Sequence, residues 1–400
     1  MAPALTESVP VPQKLFSYDK PSKAAFPDGI KTSGQCPPNY DQLVPYEQFP
    51  KEITGPTVWK AEDYENNPER WVHRFSEEEI KELSDAADAF MASGTPMTGI
   101  TKDKFPLPGF EAHLTAMRNE IINGKGFILF KGFPVNEWGN HKSAVAYMGL
   151  GTYIGYFVSQ NGLGHVLGHV KDTGADPTQI DKVRIYRTTA RQFFHTDDCD
   201  VVGLLCIARS LEGGESDIAS CHHVFNTIQR EHPDVVETLT QPIWYFDRKG
   251  EVSEGQEPYT RQPIFYKETT PNGRIYTKFD PYFVKSLSRF SDAGTIPPLS
   301  EAQLKALQVL EDTCLRLALH MVLEVGDIQF LGNGHILHSR TAYKDYADMT
   351  GRPKRHLMRL WLATPESEGG WKLPFPDSGH AKRGGIQVND TPPRAPTDAE

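Results

Sequence analysis

The amino-acid sequence predicts a mainly β protein with flanking helices, an α+β chain whose strands form a double-stranded β-helix, or jelly roll. Short apolar runs bounded by glycine indicate strands along much of the chain. Two histidines of the kind that bind metals, His195 and His338, lie on two such runs far apart in sequence. Strands so distant meet only if the sheet folds back on itself, and a doubly wound parallel sheet would require many more β–α alternations. A jelly roll satisfies both observations.

The chain ends differ from its middle in composition, and this difference sets the predicted domain boundaries. Residues 1–60 are rich in Pro, Lys and Ser with little periodicity, which is typical of an extended arm. Residues 61–371 carry the strand and helix patterns and are predicted to form one jelly-roll domain. Residues 372–400 contain several prolines and glycines and are predicted to be a loosely ordered tail.

Helices and strands follow in order along the middle segment. Two capping boxes, Ser76–Glu79 and Ser300–Gln303, begin helices over about 76–92 and 300–317, each continued by apolar residues at helical spacing. The other predicted helices lie near 110–122 and 143–150, and strands are predicted within 126–132, 183–219, 328–331 and 357–363. The two capped helices either cover the jelly roll or pair with another subunit, which would make a homo-oligomer.

Composition excludes several classes of function. The formal net charge of −10 argues against binding to a nucleic-acid backbone or to an anionic membrane surface. The first residues lack the basic segment and apolar run of a secretory signal, and no apolar stretch is long enough to span a bilayer. Five cysteines without a Cys-x-x-Cys spacing favour free thiols in a reducing compartment. We therefore expect a cytoplasmic protein whose partner is a small molecule.

The triplet His195-Thr196-Asp197 carries the strongest chemical signal. If this segment is a strand, side chains at i and i+2 face the same side, so the imidazole and the carboxylate project together. A second imidazole from a neighbouring strand would complete a set of ligands that suits non-haem Fe(II), because it leaves metal positions open for a co-substrate and dioxygen. His335 and His338 both qualify as that ligand. They are three apart, so on a strand they face opposite ways and only one can enter the site.

Six short motifs lie in order between residues 120 and 365. They are Gly126–Gly132, His195–Asp197, Gly213–Ser216, Gly326–Phe330, Asn333–Arg340 and Arg355–Trp361. In this order and spacing they resemble the Fe(II)/2-oxoglutarate-dependent dioxygenases of the taurine dioxygenase (TauD/TfdA) family, in a fungal-type form. The resemblance implies an oxidoreductase with a jelly-roll catalytic domain that uses Fe(II), 2-oxoglutarate and dioxygen.

The resemblance also implies which residues bind the metal. By position, His195, Asp197 and His338 correspond to the catalytic iron ligands of the family. The family places its last ligand before x-Arg, and this selects His338 over His335. Four further histidines are expected to lie in loops and contact solvent rather than metal: His165, His169, His222 and His223.

The co-substrate 2-oxoglutarate needs an anchor at each end. In the family its C1 carboxylate and C2 keto oxygen chelate the metal, and its C5 carboxylate needs a cation. The planar fork of arginine pairs well with a carboxylate. The resemblance implies that Arg355 and Arg359, four apart and on one face of a strand, share these contacts, and it leaves open which of them holds the C5 carboxylate. Ser216 stands where the family often has threonine, and its hydroxyl is expected to contact the same carboxylate.

The primary substrate is expected to be small and anionic, a sulfonate, an amino acid or another carboxylate. Tyr186, Arg191 and Asn333 are candidate contacts to it. The reaction implied by the resemblance oxidises an unactivated C–H bond and yields succinate and carbon dioxide, with hydroxylation, desaturation and ring closure all open as outcomes. Two alternatives are a catalytically silent jelly-roll binding protein and a zinc-dependent enzyme on the same ligands.

Overall fold

The computed structural model describes residues 43–268, 273–372 and 384–399. Its α-helices are α1 Glu62–Glu65, α2 Glu77–Ala92, α3 Glu111–Ile122, α4 Val135–Gly151, α5 Cys221–Glu231, α6 Pro233–Thr240, α7 Pro281–Lys285, α8 Ser288–Asp292 and α9 Glu301–Leu317. Its strands are β1 Val72–Arg74, β2 Phe127–Lys131, β3 Tyr156–Phe157, β4 Leu167–Lys171, β5 Gln192–His195, β6 Val201–Ala208, β7 Glu212–Gly213, β8 Ser216–Ser220, β9 Trp244–Asp247, β10 Tyr259–Gln262, β11 Phe265–Lys267, β12 Ile275–Thr277, β13 Leu319–Met321, β14 Ile328–Gly332, β15 Ile336–Arg340, β16 Tyr343–Lys344 and β17 His356–Ala363. Residues 1–42 of the predicted arm and 373–383 of the predicted tail lie outside the described residues.

The larger sheet, the major sheet, has seven strands in the order β1-β2-β14-β6-β17-β3, with β4 also paired to β17. β1 and β2 are parallel, and the β2–β14, β14–β6, β6–β17 and β17–β4 pairs are antiparallel. The predicted strands at 328–331 and 357–363 are β14 and β17, which lie on either side of β6. Strands far apart in sequence are therefore direct neighbours, as the jelly-roll prediction requires.

The minor sheet has four antiparallel strands in the order β13-β8-β15-β5. It packs face to face with the major sheet. Apolar side chains from both sheets meet between them, with Phe127, Leu204 and Trp361 from the major sheet and Ile218 and Ile336 from the minor sheet. Two facing sheets with one shared core are the double-sheet arrangement of a jelly roll, and the predicted fold class is confirmed.

Helices cover the outer face of each sheet. Helices α2, α3 and α4 pack on the major sheet around Phe130, Phe330 and Met358. Helices α5, α6 and α9 pack on the minor sheet around Phe194 and Leu337. Both predicted capping boxes form, at the first turns of α2 and α9. The two capped helices thus cover the jelly roll, the first of the two alternatives.

Two parts of the middle segment differ from the prediction. Helix α4 begins at Val135 rather than near residue 143, and its first turn is separated from the rest by Gly139, whose φ of +69° breaks the helical geometry. That interruption hides the early turn from a periodicity argument. Between residues 221 and 300 the structure has α5 to α8 and two short hairpin sheets, where the sequence analysis assigned no elements. Most of these elements are too short to show a clear period, but α5 has eleven residues and the sequence analysis missed it.

The described parts of both chain ends run along the domain. Trp59 is buried, and its Nε1–H donates to the carbonyl of Lys125 at 2.7 Å. In residues 384–399, which we call the tail, the backbone N–H of Gly385 donates to the carbonyl of Asp198 at 2.5 Å. The predicted domain boundaries stay predictions. Within the described residues, no helix combines the length and apolarity needed to cross a bilayer.

Candidate metal centre

The two predicted histidines face each other across the minor sheet. His195 ends β5 and His338 lies in β15, and the two residues are direct partners in the antiparallel register. Directly opposed residues of such a pair place their side chains on the same face. The ring centroids of His195 and His338 are 4.1 Å apart, and both side chains are buried. The sheet pairing therefore brings together two imidazoles that are separated by most of the domain in sequence.

Asp197 completes the group, which we call the metal cluster: His195, Asp197 and His338. Asp197 Oδ1 lies 4.0 Å from His195 Nε2, and Asp197 Oδ2 lies 3.7 Å from His338 Nε2. One ligand atom from each of the three residues lies within 4.8 Å of the others. Asp197 Oδ2 is buried and has no hydrogen-bond partner among the described residues. A buried carboxylate oxygen without a donor is costly, and a cation at this point would satisfy it.

Hydrogen bonds orient the imidazole of His195. Its Nδ1 lies 2.9 Å from the backbone carbonyl of Phe193 and donates to it, which leaves the lone pair on Nε2. The side-chain amide of Gln192 donates to that Nε2 at 2.9 Å. Metal-binding histidines commonly donate their second nitrogen to a carbonyl in this way. Nε2 is thus the atom of His195 that is prepared to bind a metal.

Electrostatics keep the carboxylate ionised and the second imidazole neutral. Burial opposes the charge on Asp197, but Arg359 and the two histidines outweigh burial and hold the pKa of the carboxyl below its usual value. Burial lowers the pKa of His338 to about 3, and the neighbouring His195 adds to this effect. Metal binding requires a neutral imidazole and a carboxylate. The residues present therefore fit a divalent metal held by two nitrogens and one oxygen.

Arg359 lies beside the metal cluster on the facing sheet. Its Nη1 is 3.5 Å from Asp197 Oδ1, and its Nε–H donates to Gln160 Oε1 at 2.8 Å. The guanidinium stacks on the predicted substrate residue Tyr186, with its carbon 4.6 Å from the ring centroid. Asn333 lies next to the metal cluster, and its Oδ1 accepts a hydrogen bond from the backbone N–H of Asp197 at 3.1 Å. Asn333 thus supports the position of Asp197.

A second group lies next to the metal cluster, and we call it the arginine cluster: Arg340, Tyr343 and Arg355. Arg340 lies on β15, Tyr343 on β16, and Arg355 just before β17. Both guanidiniums stack on the Tyr343 ring, at 4.7 Å and 5.1 Å from its centroid. Arg355 Nη1, Arg340 Nε and the Tyr343 hydroxyl oxygen are buried and have no hydrogen-bond partner among the described residues. Burial lowers the pKa of Arg340 to about 10, and the nearby Arg355 contributes to this. Two buried cations without a carboxylate between them fit an anionic group of a bound molecule.

The Gly213-Gly214 turn holds one side of the arginine cluster. Arg355 Nη2 donates to the carbonyl of Gly214 at 2.9 Å. A Cβ at residue 214 would lie 2.5 Å from Arg355 Nε, and the φ of +78° there also favours glycine. Ser216, the predicted co-substrate contact, directs its hydroxyl to Gln329 Oε1 at 3.2 Å. Ser216 is also the register partner of Arg340, so the turn and the arginine cluster are adjacent.

Two candidates of the sequence analysis lie outside both clusters. Arg191 Nη2 forms an ion pair with Glu311 Oε1 at 2.7 Å, and its guanidinium stacks on Phe193. His335 is buried and stacks on Trp371, with ring centroids 5.1 Å apart. His335 lies in the turn before β15, so the strand assumed for both histidines holds only for His338. Only His338 joins the metal cluster. Four histidines were expected to contact solvent. The expectation is wrong for three of them, because their side chains are buried: His165, His169 and His222.

The sequence analysis missed three residues of the site. Arg340 follows His338 by two positions on β15, so the alternation rule alone would have placed it on the same face. Tyr343 and Gln160 carried no such signal, because their contacts with the guanidiniums of Arg355 and Arg359 join segments far apart in sequence. Arg340 was therefore predictable from local geometry, and the other two residues were not.

Comparison with known proteins identifies relatives of the chain. The family model for "Taurine catabolism dioxygenase TauD, TfdA family" matches residues 93–361. An FR-33289 synthase from Streptomyces rubellomurinus (strain ATCC 31215) is 28% identical over 339 residues, covering 84% of this chain and 96% of that protein. The taurine hydroxylase-like protein SAT17 from Stachybotrys chartarum (strain CBS 109288 / IBT 7711) is 26% identical over 326 residues, covering 79% of this chain and 80% of that protein.

Solved structures share the fold. An asparagine oxygenase in complex with Fe(II), hydroxyasparagine and succinate superimposes with a TM-score of 0.54 at 14% identity, covering 74% of this chain and 94% of the other. The non-haem iron oxygenase OrfP in complex with Fe and α-ketoglutaric acid gives a TM-score of 0.53 at 15% identity, covering 74% and 94%. At this identity the likeness concerns the fold, and it agrees with the jelly roll described above.

Proposed function

The chain belongs to the TauD, TfdA family of dioxygenases and is a 2-oxoglutarate-dependent dioxygenase, and from this premise we propose that His195, Asp197 and His338 hold its Fe(II). The observation that carries the proposal is the buried Asp197 Oδ2, which lies 3.7 Å from His338 Nε2 and has no hydrogen-bond donor in the part of the chain that the structure describes. Two nitrogens and one carboxylate leave further metal positions open for a co-substrate and dioxygen. When bound, the iron would supply the oxidising chemistry, and the protein residues bind and orient the reactants around it.

We assign the C5 carboxylate of 2-oxoglutarate to the arginine cluster. Arg355 has one buried guanidinium nitrogen without a partner, and Arg340 and Tyr343 contribute two more unsatisfied polar atoms. Along β15, Arg340 is two residues from His338, which is roughly 7 Å on an extended strand. A short dicarboxylate with one end at the metal can reach the arginine cluster with the other. This proposal gives the C5 carboxylate to Arg355 rather than to Arg359.

Arg359 then remains for the C1 carboxylate and the primary substrate. It lies beside Asp197 on the facing sheet, and Gln160 and Tyr186 fix its orientation. Such a cation at the metal favours a substrate with a carboxylate, sulfonate or similar anionic group. Arg191 is less suited to this role because its guanidinium is engaged by Glu311 and Phe193. We therefore propose a small anionic substrate that is oxidised at an unactivated C–H bond, with release of succinate and carbon dioxide.

We also propose that the protein works in the cytoplasm. The four cysteines within the described residues are free and buried. Free thiols are typical of a reducing compartment. Expression of a fluorescent fusion in the source organism, followed by fractionation, tests this location.

The first experiment tests the metal and co-substrate without knowledge of the substrate. The full-length protein is prepared without oxygen, and Fe(II) and 2-oxoglutarate are added together. A weak visible charge-transfer band is expected, and it should be absent with either component alone. Absence of the band in protein that demonstrably holds Fe(II) would favour the zinc-dependent or the catalytically silent alternative.

The second experiment addresses the substrate. Succinate release above the uncoupled background is measured with a panel of sulfonates, amino acids and other carboxylates, together with neutral analogues that lack the anionic group. Anionic compounds are expected to stimulate succinate release and their neutral analogues are not. Equal stimulation by neutral analogues would contradict the anionic assignment and leave the metal proposal intact.

A further inference from the structure

We propose a second divalent-cation site, suited to Zn²⁺, formed by His169, His356 and Asp398. One ligand atom from each of these residues lies within 4.8 Å of the others. The site is separate from the iron centre and lies on the opposite face of the major sheet. His356 directly follows Arg355 on β17, so the two side chains project to opposite sides. The proposal therefore does not depend on the proposed iron ligands.

The sheet brings the two imidazoles together. In the β17–β4 register, His356 pairs with Lys171 and His169 pairs with Met358, so the two histidines are diagonal neighbours on one face. His169 Nδ1 and His356 Nε2 are 2.7 Å apart, and both side chains are largely buried. Two buried imidazoles with their nitrogens directed at one another are an arrangement that a metal can bridge.

A hydrogen bond prepares His169 for a metal. Its Nε2–H donates to the carbonyl of Pro396, in the tail, at 2.9 Å. This leaves the lone pair of His169 on Nδ1, which points at His356. Burial lowers the pKa of both imidazoles, and the pKa of His356 falls to about 4. Both rings are thus neutral near pH 7, the form in which histidine binds metals.

Asp398 brings a carboxylate from the tail. Its Oδ1 accepts from Lys171 Nζ at 2.7 Å and from the backbone N–H of Ala399 at 2.8 Å. Both contacts use Oδ1, which leaves Oδ2 for a cation. The side chain of Asp398 is 58% exposed, so an ion can reach it from solvent. Lys171 is the nearby cation that competes with a metal, and its removal should strengthen binding.

The imidazoles of His169 and His356 are too close together to hold a metal ion and must move slightly apart. At present one proton lies between the two nitrogens, at a hydrogen-bond distance of 2.7 Å. A tetrahedral Zn²⁺ with bonds of about 2.0 Å places two nitrogens about 3.3 Å apart. A metal would take the place of that proton, which His356 would carry on Nδ1 instead, and water would supply the fourth ligand. The required movement is about half an ångström, within the range of a side-chain rotation.

Metal binding here would fasten the tail to the edge of the domain. The tail also contacts the loop that follows the metal cluster, through the hydrogen bond from Gly385 N–H to the Asp198 carbonyl. Further along, the Arg394 N–H donates to the Gly164 carbonyl. Two ligands on β4 and β17 and a third on the tail give the ion a structural role, because it links segments that are far apart in sequence.

Zinc stoichiometry tests the site in full-length protein stripped of metal. The wild type is expected to bind two equivalents of Zn²⁺, because the candidate iron centre also accepts zinc. A His195→Ala/His338→Ala variant removes that centre and is expected to retain one equivalent. Adding His169→Ala should abolish the remaining equivalent, and adding Asp398→Asn should weaken it at least about tenfold. Adding Lys171→Met should strengthen it about fivefold.

Two controls keep the result interpretable. The side chain of Asp398 is exposed, so we expect its substitution to leave the domain folded. His320→Ala, which removes a surface histidine, is the matched variant and should leave zinc binding unchanged. Zinc is also expected to slow limited proteolysis of the tail in the double variant. Absence of zinc binding by the His195→Ala/His338→Ala protein would overturn the proposal. So would a retained equivalent that neither His169→Ala nor Asp398→Asn affects.

Discussion

The metal cluster and the arginine cluster share strand β15 but have opposite chemistry. β15 supplies His338 to one and Arg340 to the other, two residues apart on one face. Arg359 of β17 lies beside the metal cluster, and Arg355, just before β17, belongs to the arginine cluster. Within the described residues, a buried carboxylate oxygen at the metal cluster has no donor, whereas buried donors at the arginine cluster have no acceptor.

This difference indicates that each cluster awaits a group of the opposite charge. A buried polar atom without a hydrogen-bond partner is unfavourable, so a site that keeps one is suited to a ligand. A cation satisfies Asp197 and an anion satisfies Arg355. The molecule that links the two is then a short one with a metal-binding end and a carboxylate end, which describes 2-oxoglutarate.

The largest expected effect comes from disrupting the metal cluster. His338→Ala takes away a proposed metal ligand and should abolish both the anaerobic charge-transfer band and succinate formation. His335→Ala is the matched control, because it removes a buried imidazole three residues away that stacks on Trp371 instead. The control should retain the band even if it is less stable. Succinate production by His338→Ala at a wild-type rate would rule out this ligand assignment.

Arg355→Gln tests the arginine cluster. Charge-assisted hydrogen bonds contribute about 1.5–3 kcal/mol, so the apparent Kd for 2-oxoglutarate should rise about 10- to 100-fold while Fe(II) affinity stays unchanged. Titration of the charge-transfer band measures this directly. Arg352→Gln, an exposed arginine in the preceding loop, serves as the control and should leave the Kd unaltered. Equal effects in the two variants would remove Arg355 from the co-substrate site.

Glu311 is a buried carboxyl near the metal cluster but not part of it, and its titration should make stability depend on pH. Burial raises its pKa to about 7 despite the Arg191 ion pair, so the folded protein holds this proton more tightly than the unfolded chain. This contribution to stability is complete below pH 4.5, the ordinary pKa, and is lost as the pH rises to about 7.

Relative to Glu311→Gln, the wild type should therefore lose roughly 2–3 kcal/mol of unfolding free energy across that window. Urea unfolding at several pH values measures the difference. Asp312→Asn, on the exposed side of the same helix, keeps Glu311 and should follow the wild-type pH dependence. A wild-type curve parallel to that of Glu311→Gln would mean that Glu311 is ionised throughout.

The smallest expected effect is that of the Tyr343 hydroxyl. Its oxygen is buried without a partner at the arginine cluster, and Tyr343→Phe keeps the ring on which both arginines stack. One hydrogen bond contributes about 1 kcal/mol, so the Kd for 2-oxoglutarate should rise about fivefold. Tyr346→Phe is the control from the adjacent loop. No change in Tyr343→Phe would indicate that the hydroxyl does not reach the carboxylate.

Strand alternation explains part of why the site was predictable. His338 and Arg340 share a face of β15 because they are two apart. Asp197 lies just beyond the end of β5 and His335 lies in the turn before β15, so alternation alone does not place them. The capping boxes at Ser76 and Ser300 predicted the starts of two helices, since that motif depends only on residues three apart. Features of this kind are local, and the structure retains them.

Features that depend on contacts between distant segments were not predictable. The partner of Arg191 is Glu311, more than a hundred residues away, and its ion pair takes Arg191 out of the site. The histidines expected in solvent-exposed loops include His169 and His222, which are buried by packing that the local sequence does not reveal. A side chain's burial depends on what covers it, and that is decided by the whole fold.

By itself the sequence determined the residue types, their alternation on each strand and the resemblance that joins them into one chemistry, because these are properties of short segments. The tertiary structure alone decided that His195 and His338 are register partners, that Arg340 and Tyr343 join Arg355, and that the tail meets His169. Pairing between distant strands sets these contacts, and it is selected by burial of two sheet faces at once rather than by any local pattern.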